Sequence, residues 1–199
     1  MLKKKSSFCL LNLIEKICFS YIGFFLGFFL LLIDPVFYLI LFFLTGIFSS
    51  YDLSFLWSVS VDLIFFFLHI SPMDVSVWSS KEILHFIDVR EIFDKFISIF
   101  ILCVVYLVVN FKKVNFKNLV YVKKYLKYII LFPLIVLPFF SYFWNNIFHK
   151  YLFSNDLWLM TPSDLSFYIF NEWFFILFYL SFIGVEFLLF WFINNKIRD

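Results

Sequence analysis

The side chains able to do acid–base chemistry are few, and they cluster. Histidine occurs three times, as His69, His85 and His149. His85 lies in "SSKEILHFIDVREIF", residues 79–93. The stretch from Lys81 to Lys95 holds seven of the thirty charged side chains (16 Lys and Arg plus 14 Asp and Glu). Ser79 followed three residues later by Glu82 is a capping-box pattern, which starts a helix near Lys81. His85 and Asp88, at i and i+3, share one face of that helix. An aspartate there can accept the proton of one imidazole nitrogen, fixing the tautomer and making the other nitrogen a better base. His149 lies in "FHKYLFSNDLWLMTPSD", residues 148–164. In it Asn155-Asp156 reads as a turn, and Thr161-Pro162-Ser163-Asp164 as a helix start with proline at the first helical position. Brought together, the two imidazoles supply a general base and a hydrogen-bond donor. Each also has a plainer reading. The charge island keeps a short juxtamembrane helix wet with or without catalysis, and His149 stands where an interfacial residue stands. His69, at the end of the apolar run Leu63 to Leu68, reads as structural.

Other chemistries find little support. Cys9, Cys18 and Cys103 are far apart, without a C-x-x-C pair or a histidine at ligand spacing, so neither a disulfide framework nor a zinc site is indicated. They read as filler in or near membrane helices. A metal held by the two histidines and Asp88 or Asp156 lacks a third well-placed His or Cys. There is no G-x-S-x-G elbow, and no cofactor motif. No nucleic-acid partner is expected; the sign of a net charge of +2 says nothing about partners, and only the distribution of charge along the chain is informative.

The elements that must position these histidines are membrane helices. A mean hydropathy of +0.97, 64% apolar residues, 35 phenylalanines and four glycines describe an integral membrane protein. The excess of Phe, Ile, Lys and Asn suggests AT-rich coding sequence and hence a bacterium. Four apolar stretches read as spans: Ile17–Ile33, Phe96–Phe111, Tyr128–Phe143 and Trp173–Ile193. The second and third borrow flanking residues to reach the roughly 17 to 25 that a span needs. Val36–Phe48 is too short to cross, and Leu53–Leu68, which contains Asp62 and follows Asp52, pays about 2.5 kcal/mol or more for each carboxylate at mid-bilayer. Short cytoplasmic loops collect Lys and Arg. With four spans, twelve of the sixteen basic residues fall inside, leaving Lys81, Arg90, Lys95 and Lys150 outside. Lys3-Lys4-Lys5 before a long apolar run without a small-residue cleavage site reads as the start of a retained anchor.

The expected organisation is therefore an all-α membrane protein of four transmembrane helices with a small, mostly helical extracytoplasmic domain and both termini cytoplasmic. Residues 1–34 form the N-terminus and first span, and 35–95 an extracytoplasmic domain with the first histidine motif. The second span is 96–111, the basic cytoplasmic loop 112–127, and the third span 128–143. Residues 144–171 form an outer loop with the second histidine motif, and 172–199 the last span and tail. Asp34-Pro35 closes the first helix. Val36 to Leu68 lies on the membrane surface as helices that bury against each other and against headgroups. Trp144, Trp158 and Trp173 bracket the second motif as interface aromatics.

Taken in order, "DPVFY" after the first span, "EILHFIDVREIF", a span, a lysine-rich loop, another span, "FHKYLFSNDLWLMTPSD" and a final "EWFF" resemble the bacterial lipoprotein intramolecular transacylases (Lit) and their wider family. The chain departs from that pattern at Asn171, where the family usually has proline before the final Glu, and in the more apolar Val36 to Leu68. The resemblance implies four transmembrane helices with a small extracytoplasmic domain in the bacterial cell membrane. It also implies a reaction facing outside: an acyl chain on the glycerol of a diacylated lipoprotein moves to the α-amine of that lipoprotein's N-terminal cysteine, giving a lyso-form. The family's two functional histidines fall on His85 and His149. Asp88, Arg90, Asn155, Asp156 and Trp158 stand around them as supporting residues.

That reaction suits these residues. Amine and ester belong to one molecule, so no enzyme nucleophile or cofactor is needed and binding need only fold the substrate into a reactive conformer. An α-amine with pKa near 8 and an imidazole near 6.5 make a workable pair. His85, oriented by Asp88, is assigned as general base and His149 as oxyanion donor or proton carrier, an assignment that can be exchanged. A non-catalytic accessory or sensor protein with an outer docking surface is the competing reading. Partners are the diacylated lipoprotein and membrane lipid; the sequence does not give an oligomeric state. His85 stands eleven residues before Phe96, about 16 Å along a straight helix at 1.5 Å per residue, whereas an ester lies in a headgroup layer of about 5 to 7 Å. A bend or strong tilt between His85 and Phe96 is expected.

Overall fold

The computed structural model describes residues 2–112, 114, 115, 118, 131 and 135–196; for 2–11, 190 and 193–196 only the backbone is described. The described residues are helical or irregular, without a strand. Helix α1 (Leu2–Leu32) ends where the sequence demands. Asp34 adopts an extended backbone (φ −98°, ψ 103°), and its carboxylate accepts from the Val36 amide at 2.9 Å, capping α2 (Pro35–Leu44) with Pro35 at the first turn. Gly46, at φ 78°, supplies the left-handed residue that turns the chain. Asp52 then caps α3 (Leu53–Phe67) by accepting from the Phe55 amide at 2.8 Å.

At 1.5 Å per residue α2 and α3 are about 15 and 22 Å long, short of the roughly 30 Å hydrocarbon core. They pack on each other, burying Tyr38, Leu41 and Phe42 with Leu56, Val59 and Leu63, while Val36, Ile40, Phe43 and Trp57 remain exposed. The two helices bury against each other, as expected of Val36 to Leu68. Asp62, which looks out of place in so apolar a run, accepts from the Trp78 indole at 2.7 Å and the Asp74 amide at 3.2 Å. His69 is structural, as expected. It takes a left-handed backbone (φ 57°) after α3, and its Nε2–H donates to the Asp94 carboxylate at 3.0 Å.

Helix α4 (Ser80–Val109) runs unbroken, so no interruption provides the bend expected between His85 and Phe96. Further on, a helical turn α5 (Phe140–Tyr142) leads into a π-helical turn, Phe143–Phe148, and then α6 (His149–Leu152). Helix α7 is Leu165–Ile169 and α8 is Glu172–Lys196. Pro162 is not at a first helical position, in contrast to the reading of Thr161-Pro162-Ser163-Asp164. Those residues form a turn in which Asp164 accepts from the Thr161 amide at 2.8 Å, and the helix starts after it. Asn171 caps α8, its side-chain oxygen accepting from the Phe174 amide at 3.1 Å.

Three described helices are long and apolar enough to cross a membrane: Asn12–Leu32, Ser80–Val109 and Glu172–Leu189. Most of the basic loop at 112–127, and 128–130 and 132–134 of the expected third span, lie outside the described residues. The chain divides into two units. One comprises the described parts of 1–29, 95–133 and 182–199. In it the Tyr21 hydroxyl donates to the Phe96 carbonyl at 2.9 Å, and buried Glu15 accepts from the Asn118 side chain at 2.7 Å. Cys18 and Cys103 are buried free thiols there. The other unit, 30–94 and 134–181, contains both histidine motifs.

Candidate active site

The capping box forms as its spacing requires. The Ser79 amide donates to Glu82 Oε2 at 2.8 Å, and the Glu82 amide donates to Ser79 Oγ at 3.3 Å. The Glu82 side chain then does more than cap. Residue 82 is 1% exposed, and its Oε1 accepts from the Ser166 amide at 2.6 Å and the Ser166 hydroxyl at 2.5 Å. Beside it the Ser79 hydroxyl donates to buried Asp164 at 2.9 Å, and Lys81 Nζ donates to the Leu159 carbonyl. Burial pushes the Asp164 carboxyl up, but hydrogen bonds from Thr161 and Ser79 outweigh that and hold it below the usual carboxylate range. The start of α4 is thereby tied to residues 159–166, one turn before His85.

His85 and His149 converge. Their ring centroids lie 6.3 Å apart at 35°, and both residues are buried. Phe153 packs on both rings, at 4.9 Å from His85 and 5.7 Å from His149, while Trp158 stacks on His149 at 4.9 Å and Trp144 meets it edge-on at 4.7 Å. The π-helical turn sets the chemistry of His149. It places Nδ1 2.7 Å from the carbonyl of Trp144, five residues back. A carbonyl only accepts, so Nδ1 carries the proton and the neutral ring keeps its lone pair on Nε2. His85 is the opposite case: its Nδ1 is buried with no hydrogen-bond partner. Burial, then the neighbouring His149, push the His85 imidazole down to about 4, with Asp88 pulling weakly upward. Burial also lowers His149, partly offset by its bond to Trp144. Both rings are neutral at pH 7.

The two imidazoles line one cavity of about 260 Å³, together with Trp144, Trp158, Phe170, Phe175 and the polar side chains of Ser141, Asn145, Ser166 and Glu172. Such a volume is below the roughly 300–1,000 Å³ of a site for a drug-sized ligand. It suits small reacting groups rather than the whole of a large ligand.

The sequence-derived residues divide. His85, His149 and Trp158 meet at the cavity. Asp88 does not bond His85; it turns to accept from the Asn155 side chain at 2.8 Å, and Asn155 Oδ1 accepts from the Leu157 amide at 3.1 Å in the expected turn. That pair braces the second motif against α4. Arg90 reaches the Phe66 carbonyl at 3.3 Å with its guanidinium 4.0 Å over the Phe66 ring, away from the cavity. Asp156 does not line it. No group of three His, Cys, Asp or Glu side chains that could hold a metal occurs among the described residues.

The profile of the family described as "Lipoprotein intramolecular transacylase Lit" matches residues 68–175, both histidine motifs included. The chain belongs to the Lit family. Among solved structures it is similar to the membrane integral lipoprotein intramolecular transacylase Lit from Bacillus cereus, determined in meso. The two share 20% sequence identity over 95% of this chain and 96% of that one, with a TM-score of 0.70, a likeness of fold. A search of the curated proteins finds no match. Within this Lit-family chain, sequence reasoning missed Ser141, Asn145, Ser166 and Glu172 as cavity residues. Glu172 opens the quoted "EWFF"; the other three carry no local signal, because they reach the cavity only through tertiary packing.

Proposed function

We propose that this chain is an intramolecular lipoprotein transacylase. It transfers an acyl chain from the diacylglyceryl group of a lipoprotein to the α-amine of that lipoprotein's N-terminal cysteine, leaving a lyso-form. The observation that carries the reading, with family membership behind it, is the convergence of two neutral, buried imidazoles with one of them locked as a base. We further propose four spans with both termini cytoplasmic, so that the cavity opens at the outer surface of a bacterial membrane beside diacylated lipoproteins and lipid.

The tautomer of His149 favours it, rather than His85, as general base. The neutral amine attacks the ester carbonyl, and Nε2 of His149 takes the proton that nitrogen sheds. The resulting imidazolium hands the same proton to the glyceryl oxygen as the carbon–oxygen bond breaks. An amide and a free hydroxyl result, and no proton is gained or lost by the enzyme. The N–H of His85 donates a hydrogen bond to the tetrahedral oxyanion and keeps its proton. With a pKa near 4 it is a poor base but a suitable neutral donor. General-base catalysis contributes about 10²- to 10⁴-fold and an oxyanion donor about 10²- to 10³-fold. Asp88 acts at one remove, holding Asn155 and the turn that carries Trp158 against His149.

The test is expression of the chain in a bacterium whose lipoproteins are diacylated, with mass spectrometry of their N-terminal lipopeptides. An acyl chain moved to the cysteine amine, and lost with His149→Gln, supports the reading. Unchanged diacyl lipopeptides from a well-expressed chain reject it.

A further inference from the structure

One group lining the cavity has no part in the steps above. Glu172 is the first residue of α8, yet the capping there is done by Asn171. Three other acidic side chains near the site are committed: Glu82 to Ser79 and Ser166, Asp88 to Asn155, Asp164 to Thr161 and Ser79; Asp156 does not line the cavity. Lys81 donates to the Leu159 carbonyl and lies 3.9 Å from Asp164. The Glu172 carboxylate makes no hydrogen bond or ion pair among the described residues, and it is the one acidic group lining the cavity, which no Lys or Arg lines. The same cavity holds His85, 8% exposed, whose buried Nδ1 is also unpartnered. Two neutral, buried imidazoles and the solvent-exposed carboxylate of Glu172 give the cavity a net negative charge with unspent acceptor capacity. Its complement is a small cation bearing N–H donors.

We propose that Glu172 binds the α-ammonium of the substrate's N-terminal cysteine and so restricts the enzyme to lipoproteins whose amino terminus is free. This rests on the transacylase reading of the cavity. An α-amine with a pKa near 8 is mostly ammonium at pH 7, and a charge-assisted hydrogen bond to a carboxylate is stronger than one between neutral groups. Anchoring does not block reaction. The ammonium has three N–H bonds: it gives one proton to bulk water before attack, which frees the lone pair, and two remain to hold the carboxylate until His149 takes one of them as the carbon–nitrogen bond forms. Once acylated, the nitrogen is an amide without charge. Glu172 then has no cation to hold, which favours release of the product and rejects lipoproteins already N-acylated.

The experiment uses the purified full chain in detergent and two probes, S-(2,3-dialkyloxypropyl)-cysteinyl peptides with a free amine or an N-acetyl group. Their ether links cannot transfer an alkyl chain, so the readout is binding alone. The expected result is that wild type binds the free-amine probe about 10- to 100-fold more tightly than its N-acetyl twin. Glu172→Gln abolishes that preference while leaving N-acetyl binding unchanged, and Glu172→Asp restores part of it. If Glu172→Gln does not fold, Glu172→Ala is read the same way. No preference in the wild type, or a preference retained without the carboxylate, overturns the proposal. Running the ester forms of the probes in parallel separates the two ideas. Absence of acyl transfer sinks the transacylase reading, whereas the ether-probe preference decides the role of Glu172.

Discussion

Replacing Glu82 tests whether a residue with no direct access to substrate holds the site together. Its carboxylate accepts from the Ser79 amide at 2.8 Å and from the amide and hydroxyl of Ser166 at 2.6 and 2.5 Å, in a position 1% exposed. In Glu82→Ala both amides lose their acceptor, while the Ser166 hydroxyl can rotate to another. A buried orphaned donor costs about 1–3 kcal/mol, so two cost about 2–6 kcal/mol. Glu82→Gln keeps one acceptor oxygen but sets an NH2 against a backbone N–H, one conflict worth about 1–3 kcal/mol. For a chain of this size each kcal/mol moves the unfolding midpoint by about 2–4 °C. Glu82→Gln should therefore lower it by roughly 2–12 °C and Glu82→Ala by roughly 4–24 °C. Cys18 and Cys103 are buried free thiols, so a thiol-reactive dye that fluoresces as they become exposed follows the melt in detergent. The Ser166→Ala change should be non-additive with Glu82→Ala by about 1 kcal/mol, since both remove one bond. A Glu82→Ala midpoint within 2 °C of wild type, or strict additivity with Ser166→Ala, refutes the tie between the start of α4 and residue 166.

Further outcomes follow from the same geometry. His149→Gln should reduce acyl transfer by about 10²- to 10⁴-fold and His85→Gln by about 10²- to 10³-fold in a lipopeptide mass-spectrometric assay; a larger loss at His85 than at His149 would return the base to His85. The His85 imidazole sits at about 4 in the folded chain against an ordinary value near 6.5, so between those values the unfolded state binds more protons. The stability this contributes is complete above about 6.5 and lost as pH falls toward 4. The thiol-dye midpoint should drop from pH 7 to pH 5, and drop less in His85→Gln; equal drops count against a buried neutral ring. Asp62→Ala removes the acceptor of the indole of Trp78, a residue 2% exposed, and should destabilise by about 1–3 kcal/mol for that donor left buried, seen as a fall in the same midpoint.

What was legible in the sequence was local. The Ser79–Glu82 box, the Asp34-Pro35 break and the Asn155 turn each depend on groups within four residues of one another, and each forms. What was not legible depends on distance. Nothing near Glu82 shows that its second oxygen meets Ser166, 84 residues away. The i, i+3 spacing of His85 and Asp88 allowed a dyad, but the side-chain amide of Asn155 takes the aspartate. The turn Thr161–Asp164 has a helix start's composition, yet Asp164 accepts from Thr161 before any helix begins. Asp62 read only as a cost of crossing the bilayer, because its partner, Trp78, lies 16 residues on.

The exchange of roles between the two histidines shows what geometry adds to a motif. Composition offered two imidazoles of equal standing and one carboxylate near His85, which made His85 the natural base. The deciding group is instead a backbone carbonyl, exposed to the His149 ring only because residues 143–148 wind as a π-helical turn. In an α-helix the i, i+5 side chain is rotated away from that oxygen by the 3.6-residue period, whereas the wider turn brings them into line. One extra residue per turn thus fixes a proton on Nδ1, leaves Nε2 as the acceptor, and makes the base a property of backbone winding rather than of a neighbouring acid. A change that restores regular α-helix here should therefore impair transfer even though both histidines remain. Deletion of Asn146, which shortens the turn by one residue, is the direct trial: acyl transfer at wild-type rate in that variant would show that the π turn does not set the base.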